Sequence, residues 1–339
     1  MTGATVERPT HEMRPDVPLE VMPLTTLISR RVFMSRSTVA WLMLTAPPVA
    51  ALAAVDEPAR LVDAVSFDLG GTAERPPWRI TLYVPPGPAP AAGWPILYLL
   101  DGNAVTGTAI DIERVQAPYP DGTGIGSRFA IVGIGYPGDQ AYDGLRRSWD
   151  YTPPPGKSYP PYRADGPAVR TGGANPFLRF VIDELKPAVE RRCKVDPARQ
   201  ALFGHSFGGL FVLYALAQAP ATFSHWIAAS PSIYWEEFVL LTSIDALEKS
   251  PPGKAHVLLM AGAYEAELAP FQRTAPDHES RLARLKLART VEAARTLSDR
   301  LGRIPGLKSE FRVIPGKTHM TVLPEALNEA VTSFLGRAG

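Results

Sequence analysis

No segment constrains this chain more than Gln200-Ala201-Leu202-Phe203-Gly204-His205-Ser206-Phe207-Gly208-Gly209-Leu210. An apolar, strand-like run leads into a G-x-S-x-G turn, and an apolar stretch of helical character follows, so Ser206 must stand on a sharp strand-to-helix corner. Such a corner strains the backbone, and glycines at 204 and 208 would remove side chains that collide where strand and helix approach. The hydroxyl is then presented at the carboxyl edge of a sheet, with the positive end of a helix turned toward any negative charge that develops there.

From about Leu61, short β-rich runs alternate with helix-like stretches, the pattern of an α/β sheet. Strands are expected at Val62 to Leu69, Trp78 to Val84, Ile96 to Leu100, Ala130 to Gly135, Gln200 to Phe203, His225 to Ala229, His256 to Met260 and Phe311 to Ile314. Gly70-Gly71-Thr72 makes the first two antiparallel, and intervening helices make the later ones parallel. Helices are expected at Pro176 to Arg192, Gly208 to Gln218, Glu279 to Leu301 and Pro324 to Leu335. An eight-stranded, mostly parallel sheet flanked by helices, carrying a serine on such a corner, is the α/β-hydrolase fold. The stretch 137–175, rich in Pro, Gly, Tyr and Arg, follows neither period and reads as a structured, substrate-facing insertion.

Composition narrows the function. A net charge of +1, from 35 Lys and Arg against 34 Asp and Glu, supplies no field to draw nucleic acid or a membrane surface. Cys193 is the only cysteine, which excludes an intramolecular disulfide and a cysteine-based metal cluster. No resident metal and no cofactor are expected.

Ser29-Arg30-Arg31-Val32-Phe33-Met34-Ser35 precedes a mostly apolar run from Thr38 to Leu52, and Ala51-Leu52-Ala53 fits a small-x-small cleavage site. The segment resembles a twin-arginine export signal, with the paired arginines held on the cytoplasmic side while the uncharged run enters the membrane. Pro47 and Pro48 interrupt that run and make it a poor permanent anchor. The 28 residues before Ser29 are many for such a signal, and Met13 and Met22 offer later starts. Residues 1–53 are therefore expected to be removed after passage through the twin-arginine export machinery. Residues 54–339 are expected to form a single α/β-hydrolase domain in the bacterial periplasm.

A serine hydroxyl needs a base. Of the six histidines, His319 follows a late strand and precedes the last helix, where this fold brings its base; His278 is the other loop candidate. The acid should follow the seventh strand, in the order serine, acid, histidine, which selects Glu265, with Glu267 and Asp277 as alternatives in the same connection. Two backbone N–H groups should hold the oxyanion, one from Phe207 and one from Gly102 or Asn103 in the loop after the third strand, where Asp101 braces the backbone.

Five motifs, taken as an ordered set, carry a resemblance: Tyr98-Leu99-Leu100-Asp101-Gly102-Asn103, Asp150-Tyr151-Thr152-Pro153, Gly204 to Leu210, Ser230-Pro231-Ser232-Ile233-Tyr234-Trp235 and Gly316-Lys317-Thr318-His319. From roughly Val62 to Gly336 the chain resembles the Putative esterase family, and within it the enterobactin, salmochelin and bacillibactin trilactone esterases. The resemblance implies hydrolysis of a cyclic catecholate siderophore, with Ser206 and His319 as the central pair and Arg147 placing substrate. The chain departs from that pattern at Tyr234, where relatives often carry a second tryptophan, and at Ala263, where they often carry Glu. A ferric tris-catecholate is a bulky aromatic trianion, which arginines can both stack on and neutralise. Arg146, Arg147, Tyr151 and Trp235 are accordingly expected to bind substrate, and any iron belongs to that substrate. The rival readings are a general carboxylesterase for small acyl or hydroxycinnamoyl esters, using the same residues, and a binding protein for the ferric complex. Binding alone would need neither Ser206 nor His319.

Overall fold

The computed structural model describes residues 59–337 apart from 74, 251 and 252; the expected export signal lies outside the described residues. Eight strands form one sheet: β1 (Ala64–Leu69), β2 (Trp78–Tyr83), β3 (Trp94–Leu100), β4 (Ala130–Gly135) and, after a separate ribbon of β5 (Ser158–Tyr159) and β6 (Val169–Arg170), β7 (Val195–His205), β8 (His225–Ala229), β9 (Ala255–Gly262) and β10 (Leu307–Ile314). Their order is β1-β2-β4-β3-β7-β8-β9-β10. β2 runs antiparallel to both its neighbours, and every other pairing in the sheet is parallel. All eight expected strands are present, some extended by a few residues.

β3 and β4 are buried at every position because helices cover both faces. Ile96, Tyr98, Leu202, Trp226 and Leu259 point into one core with Phe177, Phe180, Leu210 and Leu240. Their neighbours Leu97, Phe203, Ile227 and Met260 point into the other with Val105, Ala109, Leu327 and Phe334, as the two-residue period of a strand requires.

Two helices lie where the sequence reading placed none, Gly102–Gln116 and Leu240–Lys249. The single helix expected at Glu279 to Leu301 is two, His278–Ala288 and Thr290–Leu301, broken at Arg289, whose φ of 44° leaves the helical region. The insertion 137–175 is not all loop: it contains the helix Gly144–Asp150 and the β5–β6 ribbon. Among the described residues no helix is long and apolar enough to cross a membrane.

Candidate active site

The carboxyl ends of β3, β7, β8, β9 and β10 deliver the candidate residues to one edge of the sheet, the position where open α/β sheets bind ligands. Ser206 follows β7 and precedes the helix Phe207–Gln218, with φ 59° and ψ −116°, a strained backbone for a residue with a side chain. Its N–H donates to the Ala229 carbonyl at 3.0 Å, which ties the corner to the end of β8. A Cβ on Gly204 would lie 2.4 Å from the Gly208 backbone, so strand and helix can meet there only through glycine. Gly208 itself is less constrained than expected, since a Cβ there would make ordinary contact with Leu100 at 3.5 Å.

His319 Nδ1–H donates to Glu265 Oε2 at 2.7 Å. Glu265 is buried, and its other oxygen accepts from Ser230 Oγ and from the Gly262 N–H at 2.8 Å, so the carboxylate is fixed before it meets the imidazole. The alternatives lie elsewhere: Glu267 pairs with Arg273 and Asp277 with Arg281, both on the surface. His278, the rival base, sits at the start of an exposed helix. The Ser206 hydroxyl has Ser232 Oγ at 3.4 Å and makes no hydrogen bond to His319, a looseness common in catalytic sites without substrate.

His205, within the corner itself, plays a supporting part. It is buried, its Nε2–H donates to the His319 carbonyl at 2.7 Å, and the two rings lie 4.7 Å apart. Burial, reinforced by the neighbouring His319, pushes its pKa down to about 3, so the ring is neutral and keeps the donated proton. Ser230, Ser232 and His205 are contacts that motif reading could not assign, because each meets its partner only through the fold.

On the other side, Gly102 and Asn103 open the helix Gly102–Gln116, and Phe207 opens the helix after the serine; first-turn N–H groups have no preceding carbonyl to receive them. A Cβ on Gly102 would strike Gly133 at 2.6 Å, so this glycine lets the helix start against β4. The Asn103 side chain bonds both the N–H and the carbonyl of Tyr136. Asp101, left-handed at φ 52°, braces this turn through two 3.0 Å hydrogen bonds from Arg147. Burial pushes the Asp101 carboxyl up and Arg147 pulls it back, while burial of Arg147 is more than offset by Asp101, which holds the guanidinium charged.

The four expected substrate residues fare differently. Tyr151 is fully buried, its hydroxyl accepting the Asp101 N–H at 3.0 Å, so it supports the site from beneath. Arg146 is committed to the carbonyls of Pro76 and Pro77 and to the ring of Tyr136. Arg147 keeps one nitrogen free beside Phe207 among the described residues. Trp235 packs edge-on against Phe207 at 4.7 Å, with a buried Nε1 that has no partner among the described residues. Two clefts flank this group. One, of about 580 Å³, runs from Asn103 into the insertion along Tyr142, Tyr162 and Arg163. The other, of about 290 Å³, lies between His319 and the helix His278–Ala288. No group of His, Cys, Asp and Glu among the described residues could hold a metal ion.

Comparison with known proteins identifies the family. A model of the family described as Putative esterase matches residues 73–255. The ferri-bacillibactin esterase of Bacillus subtilis is 36% identical over 260 residues, covering 75% of this chain and 83% of that protein. The siderophore triacetylfusarinine C esterase of Aspergillus fumigatus is 33% identical over 255 residues, covering 71% of this chain and 81% of that one. Among solved structures, the BES protein of Bacillus cereus is 30% identical with a TM-score of 0.70, over 84% of this chain and 100% of that chain. On family match, identity and fold together, the chain belongs to the Putative esterase family of serine hydrolases.

Proposed function

We propose that this chain is a siderophore esterase that opens the ester bonds of a catecholate trilactone of the enterobactin type, through an acyl-enzyme on Ser206, and so releases its iron. The observation that carries the reading is the Glu265–His319 pair at the same sheet edge as the Ser206 corner, in a chain whose relatives are named as siderophore esterases. In this mechanism the Ser206 hydroxyl turns from Ser232 toward His319 Nε2 and gives up its proton as its oxygen attacks the ester carbonyl. Glu265 keeps the proton of the other nitrogen in place and stabilises the imidazolium. His205 holds the His319 backbone and, being neutral, adds no competing positive charge. The oxyanion is received by the N–H of Phe207 and that of Gly102 or Asn103. His319 then protonates the departing alcohol, and water attacks the acyl-enzyme with His319 again as base. The export segment read in residues 1–53 supports a periplasmic location.

The test is chromatography of the products formed by residues 54–339 from iron-free and ferric enterobactin, beside a short p-nitrophenyl ester. Linear dihydroxybenzoylserine fragments, lost together with a roughly millionfold fall in kcat in Ser206→Ala at unchanged melting temperature, are the expected result. An untouched trilactone with rapid turnover of the small ester would leave a general carboxylesterase, and full activity in Ser206→Ala would end the mechanism.

A further inference from the structure

The cleft beside His319 is built by a part of the chain to which sequence reading gave no substrate role. Its outer wall is the helix His278–Ala288, none of whose residues is buried. That wall brings Arg281 and Arg284 to the cleft, together with Leu287, and the His319 loop adds Met320; Leu287 and Met320 are 69% and 57% exposed. Arg281 is held by Asp277 at 2.7 Å. Arg284 is different. Asp277 lies 4.0 Å from it, and Arg284 makes no hydrogen bond among the described residues, so its guanidinium is available to a ligand. A cationic fork sharing a cleft with exposed apolar side chains suits a planar anionic aryl group, which can stack on the guanidinium and on the thioether while its charge is offset.

The chemistry decides which half of the ester this cleft receives. During acylation a bond forms between Ser206 Oγ and the acyl carbon, the bond from that carbon to the alcohol oxygen breaks, and the proton taken from serine passes from His319 to the alcohol oxygen. The alcohol must therefore leave on the His319 side. The acyl oxygen faces the donors at Phe207 and Gly102 or Asn103, and the larger cleft opens at Asn103. We infer that the cleft between His319 and the helix His278–Ala288 is the leaving-group site, in which Arg284 recognises an anionic aryl group carried on the alcohol half of the substrate, while the cleft of the insertion takes the acyl half. The inference rests on the role given to His319 above and extends it from the reacting bond to the polarity of binding.

Two simple esters separate the halves without a siderophore: para-sulfophenyl acetate, whose sulfonate departs with the alcohol, and phenyl para-sulfobenzoate, whose sulfonate stays on the acyl group. The quantity read is the ratio of kcat/KM for the first ester to that for the second, in which any general loss of activity cancels. Arg284→Glu, an exchange on an exposed helix face, is expected to lower this ratio about tenfold, the scale of reversing one charge a few ångströms from a partly screened partner. Lys286→Glu makes the same exchange on the same helix outside the cleft and should leave the ratio as in the wild type. An unchanged ratio in Arg284→Glu, or an equal fall in Lys286→Glu, overturns the assignment. Because neither ester is a trilactone, the leaving-group site can stand if the enterobactin digestion fails, and can fall if it succeeds.

Discussion

Two regions of this molecule are rich in arginine, and they use it in opposite ways. In the insertion 137–175 two guanidinium groups turn inward: Arg147 forms a buried ion pair with Asp101, and Arg146 binds two proline carbonyls. Arg163, which lines the cleft, and Arg170 are exposed. In the connection between β9 and β10 the arginines of the helix His278–Ala288 stand on the surface, paired loosely with a surface carboxylate. The difference lies in the partner. A carboxylate already buried by its own backbone, as Asp101 is at the end of β3, draws an arginine in and makes it part of the scaffold. A carboxylate at the solvent edge of a helix leaves the arginine able to exchange it for a ligand.

The largest expected effect comes from breaking the inward pair. Arg147→Ala leaves the buried Asp101 carboxyl without its ion-pair partner, and should lower stability by about 3–5 kcal/mol in urea unfolding. Adding Asp101→Asn should recover part of that loss, since the unpaired carboxyl is then gone. A loss below about 1 kcal/mol in the single variant would place Arg147 with the loosely paired arginines, and the contrast between the regions would fail.

How much of this was legible in the sequence follows from the same contrast. The eight strands and the Ser206 corner could be read because each depends on residues next to one another: β-rich runs, and glycine where strand and helix touch. The helix Gly102–Gln116 could not, because Gly107 and several Thr, Val and Ile residues weaken its helical signal, and packing of Val105, Ala109 and Ile110 against the sheet overrides it. The break at Arg289 carries no Gly or Pro to announce it. The order serine, acid, histidine sufficed to choose Glu265, which meets His319, over Glu267 and Asp277, which do not. The order of residues could not say which arginines face solvent, because that depends on carboxylates distant in sequence: Asp101 lies far from Arg147, and their pairing came into view only with the fold.

A second, smaller effect uses the carboxylates themselves. Asp150, at the end of the helix Gly144–Asp150, accepts hydrogen bonds from Trp78 Nε1 at 2.7 Å and the Tyr136 hydroxyl at 3.1 Å, and burial pushes its pKa up to about 6. The unfolded chain gives up this proton near 3.8, the ordinary value for aspartate, while the folded chain keeps it until about 6. Between those values the folded state binds more protons, so this group's contribution to stability falls as pH rises. The stability of the wild type relative to Asp150→Asn should therefore decline by about 2–3 kcal/mol from pH 4 to pH 7, most of it below pH 6. A difference that is flat, or that grows with pH, would mean that Asp150 titrates like a surface carboxylate.

The smallest effect probes the outward region. Asp277 is exposed, and its hydrogen bond from Arg281 holds the carboxyl below its usual range. Surface pairs of this kind contribute little to stability, so Asp277→Asn should leave the melting temperature unchanged within about 1 °C. Its consequence should appear at the cleft instead. Asp277 holds Arg281 and lies 4.0 Å from Arg284, so removing its charge frees Arg281 and strengthens the positive field of both toward an anion. The kcat/KM for para-sulfophenyl acetate, taken relative to phenyl para-sulfobenzoate, should rise about two- to threefold, and the gain should vanish in high salt because these charges are screened by solvent ions. A rise that survives high salt would locate the effect in packing, and a lowered melting temperature would show that the helix His278–Ala288 depends on Asp277 as the turn after β3 depends on Asp101.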